Sequence, residues 1–177
     1  MLIFAAALAM MIAQPSAVPD PRSADAVALF DDMCVRSLLG QKTSGDPTRF
    51  QMMKVDEKDA RETLPEFDAD KAWGVVGTQS KVRMFVGSSH GICAAEVLSA
   101  DRDSVRAEFD QLVNRTATFL HSSAALEVQN DNPINGKPAS YRAWRLKSPK
   151  GDIMLALTAA SEGAADVQHL MTASYVK

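Results

Sequence analysis

The sequence predicts an α+β domain: an antiparallel sheet of about six or seven strands, covered on one face by a long central helix and an N-terminal helix. Three observations predict it. Residues 101–122 carry a continuous apolar stripe at helical spacing, formed by Val105, Phe109, Leu112, Val113, Thr116 and Leu120. The segments on both sides of that helix instead alternate apolar and polar residues with a period of two. The links between those alternating runs are short and dense in Gly, Ser, Asn and Pro, so consecutive strands should pair as antiparallel hairpins.

Element by element, the expected order is α-α-β-β-β-α-β-β-β-(β). Ser23 serves as an N-cap, and Val27, Phe30, Cys34 and Leu38 recur on one helical face before Gly40 stops the helix. Gly45-Asp46-Pro47 starts a short helix through Met53, because proline fits the first helical position. Lys54 to Lys71 is highly charged and reads as a short helix and exposed loop. Trp73–Gly77, Val82–Gly87 and Ile92–Leu98 are strand-like, with Val82, Met84 and Val86 on one face and Cys93, Ala95 and Val97 on another. After the long helix, Leu126 and Val128 alternate with Glu127 and Gln129. Asn135-Gly136 marks a reversal. Strands follow over Tyr141–Lys147 and through Ile153, Leu155, Leu157 and Ala159. Residues 167–176 fit helix and strand about equally, and Thr172, Tyr175 and Val176 favour the strand. The two strand triplets flanking the long helix have a loose symmetry without a repeat of fixed period.

Residues 1–22 read as a signal peptide and short linker, and 23–177 as one domain. Leu2 to Ala13 is an unbroken apolar run, too short for a bilayer span of ~20 residues, and it exits through small residues near Ala13 or Ala17. No Lys or Arg precedes the run, and no Cys sits just after it to carry a lipid anchor. Pro15, Pro19 and Pro21 detach it from the rest of the chain. The leader implies a periplasmic or secreted location, with no stable membrane span after processing. The chain has two cysteines, Cys34 and Cys93. Each falls on an expected buried face, and in an oxidising compartment such a pair closes. The enclosed loop of roughly 60 residues corresponds to a stabilisation on the order of 4 kcal/mol. Hydrophobic residues make up 46% of the chain and charged residues 23%, the balance of a packed protein. A formal charge of -3 gives no overall attraction to nucleic acid, and 6% aromatics leave little stacking surface for bases.

Chemistry needs clustered groups. His90, His121 and His169 are scattered, and His90-x-x-Cys93 offers two ligands where a metal needs three or four. No metal and no cofactor is expected. Ser88, Ser89 and His90 read as a polar hairpin loop, since adjacency supplies neither a positioned base nor its orienting partner. The carboxylates Glu57 with Asp59, and Glu66 with Asp68, lie in the most solvated stretch. Arg142, Arg145, Lys147 and Lys150 form a local basic patch, weakened because Arg142 and Arg145 point to opposite faces of a strand. Asn114-Arg115-Thr116 matches a glycosylation sequon in mid-helix. Adaptable methionine-rich surface can bind varied apolar partners, and Phe50, Met52, Met53 and Phe67 flank the charged stretch, marking a possible ligand groove there.

Phe30 with Cys34, Trp73-Gly74 and Gly91-Ile92-Cys93, behind an apolar leader, together resemble small exported proteobacterial proteins of unknown function. The resemblance covers little more than a third of the chain. It implies a periplasmic location and a structural disulfide, and it carries no catalytic residues. The expectation is a non-catalytic periplasmic protein that binds another envelope component or a small apolar ligand. Two alternatives stand beside it. One is a hydrolase-like enzyme using His90 or His169 with a nearby serine. The other is a structural or inhibitory domain.

Overall fold

A computed structural model describes residues 20–43, 50–63, 69–76, 79–88 and 91–176. The chain enters α1 (Pro21–Phe30) at Asp20, whose side chain accepts the Arg22 N–H at 3.0 Å. Asp20 takes the capping place that sequence spacing assigned to Ser23, because Pro21 has no N–H to satisfy and suits the first turn. Ser23 is buried instead, with its hydroxyl donating to Asp101 O. The helix widens into a π-turn at Asp31–Val35 and ends as α2 (Arg36–Leu38). Val27, Phe30 and Cys34 are buried as their spacing predicted. Gly40 stops the helix at φ +71°, its N–H donating to Ser37 O while the Gln41 N–H reaches back to Arg36 O.

One element differs in kind. Gln51–Val55, whose first residues were expected to end a short helix, is strand β1. Its register against the next strand runs from Gln51↔Val76 to Val55↔Ala72. The pairing explains the difference: Met52 meets the main core on one face while Val55 joins a smaller cluster on the other, a two-residue period that only a strand satisfies. Asp56 then caps α3 (Glu57–Thr63) by accepting the Lys58 N–H at 2.8 Å.

Strands β2 (Lys71–Val76), β3 (Val82–Gly87) and β4 (Ile92–Val97) form a meander, and α4 (Arg102–Phe119) comes next. The second meander is β5 (Ala124–Asn130), β6 (Ala139–Leu146), β7 (Ile153–Ala160) and β8 (His169–Tyr175). The eight strands among the described residues join one antiparallel sheet in the order β1-β2-β3-β4-β8-β7-β6-β5. The strand beyond the expected six or seven is β1. The terminal segment is a strand, β8, in the middle of the sheet.

Helices α1 and α4 cover one face. They start side by side, where the Asp101 N–H donates to Asp20 Oδ2 at 2.7 Å, and they run in the same direction. Phe30 stacks on Phe109 at 5.8 Å, and Phe109 on Trp144 of β6 at 5.6 Å. Leu146, Ile153, Leu155, Leu157, Met171 and Ala173 floor this core from the sheet. On the other face the register aligns Val55, Ala72, Phe85, Ala94, Thr172, Ala156, Ala143 and Val128 in a single row across all eight strands. Ala69 packs over the β2–β4 part of that row. The disulfide joins Cys34 in the π-turn to Cys93 on β4, with Cα atoms 5.4 Å apart. It is the pairing expected from the two apolar faces. Among the described residues no helix is long and apolar enough to cross a membrane.

Candidate functional site

The two helices start together and run for equal lengths, Pro21–Leu38 and Arg102–Phe119, so both end over the finish of β8. α4 stops with His121 in the left-handed region at φ 49°, its N–H donating to Thr118 O. α2 stops at Gly40, and Tyr175 reaches up from β8 to donate its hydroxyl to Leu38 O at 2.7 Å. Tyr175 is thereby held as a partition between two concave lobes. One lobe, of about 270 Å³, is walled by Leu39, Phe119, Leu120, Pro149 and Tyr175, with His121, Ser148 and Lys150 at its polar side. The other, of about 280 Å³, is walled by Met33, Leu38, Val86, Ile92 and Tyr175, with the Cys34–Cys93 bridge in its lining. A smaller groove of about 170 Å³ runs between the helices and shares Leu39 and Phe119 with the first lobe.

The lining is mostly aliphatic and aromatic, with few polar groups, which is the usual make-up of a small-molecule site. Phe119 is 58% exposed although it is a large aromatic on a well-packed helix. Lys150 crosses the C-terminal end of α2: a Cβ at Gly40 would stand 3.0 Å from its Nζ. A cation there complements the partial negative charge of the helix end. In the inter-helix groove, burial pushes the Asp31 carboxyl pKa up, while Arg36 and Arg115 pull it back down.

The opposite end of the helices is polar. A cleft of about 240 Å³ is lined by Arg22, Asp101, Arg102, Glu162 and Gln168, among others. Behind it Gln168 is buried and fully used, accepting the Ala100 N–H and donating to Ala160 O. His169 is 1% exposed, and its Nε2–H donates to Ala100 O at 3.1 Å. Burial holds its pKa below the usual histidine range, against the opposing pull of that hydrogen bond and of Asp101 and Asp20.

The residues singled out from the sequence do not converge on one place. Phe50 and Met52 pack against the main core, Met53 is 60% exposed on the other face, and Phe67 lies outside the described residues. None of the three described residues lines the clefts above. Ser88 bonds Asp70 through both its N–H and its hydroxyl, and Ser89 and His90 lie outside the described residues. His121 and His169 sit at opposite ends of α4, whose 18 residues span about 27 Å. The basic patch separates into parts: Arg142 reaches Asp110 of α4 on the helix-covered face, while Arg145 clamps Glu127 and Asp152 on the other. Lys147 and Lys150 make no carboxylate pair among the described residues. Among those residues no group of three or more His, Cys, Asp or Glu is assembled to hold a metal.

Leu39, Phe119, Pro149 and Tyr175 were not marked as site residues by the sequence. Phe119 carried one readable signal, an aromatic lying off the apolar stripe of its helix. A scan against protein-family models and searches of the curated proteins and the solved structures found no match.

Proposed function

We propose that the protein is a non-catalytic, exported binding protein that takes a small apolar ligand into the cleft at Tyr175. The observation that carries this reading is the 270 Å³ lobe, where Phe119 stays largely in water beside Leu39, Leu120 and Tyr175. With 58% of Phe119 still in water, burial forgoes roughly half of the about 1.5–3 kcal/mol that fully covering such a side chain yields, and an apolar guest supplies that cover. Periplasmic location is supported by the closed Cys34–Cys93 bridge, which persists in oxidising compartments, and by the apolar leader of the sequence. A non-catalytic role is supported by the separation of His121 from His169 and by the engagement of Ser88, through its N–H and its hydroxyl, with Asp70.

A titration with a neutral apolar dye whose fluorescence rises on leaving water tests the reading. Saturable enhancement is expected for the wild type. Phe119→Ser should weaken binding by roughly tenfold, while Met53→Ser, equally exposed but remote, should leave it unchanged. Equal binding by the Phe119 variant and the wild type would remove the cleft as the site.

A further inference from the structure

We infer that the guest of the Tyr175 cleft is a short single-chain amphiphile with one carboxylate head, its tail in the 270 Å³ lobe and its head on Lys150. The inference rests on the ligand cleft proposed above and adds the chemistry of the head group. Charge in this cleft runs against that of the whole molecule. The chain carries 22 acidic and 19 basic residues. Among the residues lining the two lobes there is no Asp or Glu, and the one Lys or Arg is Lys150. Its ammonium pairs with no carboxylate among the described residues.

The local chain fixes where that charge stands. Residues 148–151 join β6 to β7 as a tight turn, in which the Gly151 N–H donates to Ser148 O and the Lys150 N–H to Ser148 Oγ, both at 3.2 Å. The turn packs beside the partition, since a Cβ at Gly151 would stand 3.8 Å from Tyr175 Cδ1. Gly40, having no side chain, leaves room for Lys150 Nζ on the α2 side.

The polar side of the lobe gives hydrogen bonds more readily than it takes them. The ammonium only donates, the Ser148 hydroxyl has accepted the Lys150 N–H and keeps its own proton, and His121 carries a ring N–H in either tautomer. The carbonyls that two helix ends could offer a cationic head are largely taken. Arg36 O, Ser37 O and Leu38 O accept from the Gln41 N–H, the Gly40 N–H and the Tyr175 hydroxyl, while Ala117 O and Thr118 O accept from the Ser122 and His121 N–H groups. The end of α2 beneath Lys150 amounts to about half a negative charge, so positive charge remains in excess there. A carboxylate accepts and cannot donate, and its bonds to an ammonium are charge-assisted. At about 270 Å³ the lobe falls just below the ~300–1,000 Å³ of pockets for drug-sized ligands, which suits one short chain and not a two-tailed lipid.

Isothermal titration calorimetry of the purified protein near neutral pH, with octanoate, octanol and octylamine, tests this, because the three share a tail and differ in the head. Octanoate should bind roughly tenfold more tightly than octanol, and octylamine more weakly than either. Lys150→Met should abolish the margin of octanoate over octanol. Lys150→Arg should keep it, as should Lys54→Met on the far strand β1. Octanol or octylamine binding at least as tightly as octanoate overturns the carboxylate assignment and leaves the apolar cleft standing. A margin that survives Lys150→Met also overturns it, and saturable binding by none of the three overturns both the assignment and the cleft.

Discussion

His169 is the residue whose chemistry and burial are most in tension. Its ring is almost wholly buried beside the main core, Nε2–H is committed to Ala100 O, and Nδ1 finds no partner among the described residues. Desolvation lowers its pKa below the ordinary value of about 6.5, so the unfolded chain binds a proton more readily than the folded one. The stability tied to this histidine is therefore complete above pH ~6.5 and is lost as pH falls from there toward the depressed folded value. Urea unfolding across that range should show the wild type losing stability more steeply than His169→Gln, whose amide can still donate to Ala100 O. Parallel pH profiles for the two proteins would show that the imidazole does not charge on unfolding in that window.

Among the elements, the π-turn carries the most consequence, because it holds Cys34, whose bridge to Cys93 of β4 ties the first helix to the sheet. The bridge closes a loop with a sequence separation of 59, for which chain-entropy reasoning gives about 4 kcal/mol. Reduction, or the pair Cys34→Ser with Cys93→Ser, should lower the unfolding free energy by about 2–4 kcal/mol; an unchanged denaturant midpoint would show that helix packing alone holds α1 in place. This tie was legible in the sequence, since Cys34 shares a helical face with Val27 and Phe30, and Cys93 a strand face with Ala95 and Val97. α4 was legible for the same reason: its stripe is local, and local periodicity survives folding. β1 was not. Phe50-Gln51-Met52-Met53 behind Pro47 satisfies a helix start, and what makes these residues a strand is their pairing with Lys71–Val76, about twenty residues later. Long-range pairing leaves no mark in a short window.

At the scale of the whole molecule, the two helices running in parallel from a common start place their N-terminal ends over a polar cleft and their C-terminal ends over an apolar one. The apolar cleft draws Leu39, Phe119, Pro149 and Tyr175 from four separate stretches of chain, so no spacing within the sequence could announce it. The residues that the sequence did offer as a groove divide between core and surface because β1 is a strand, which turns Met52 inward and Met53 outward. A guest at Tyr175 is the central claim, and amide chemical-shift mapping of the labelled protein during titration with a neutral apolar probe tests it most directly. Saturable shifts are predicted at Leu39, Phe119, Leu120 and Tyr175, with Met53 and Val76 unmoved. Shifts centred on Phe50 to Met53, or none that saturate around Tyr175, would contradict it.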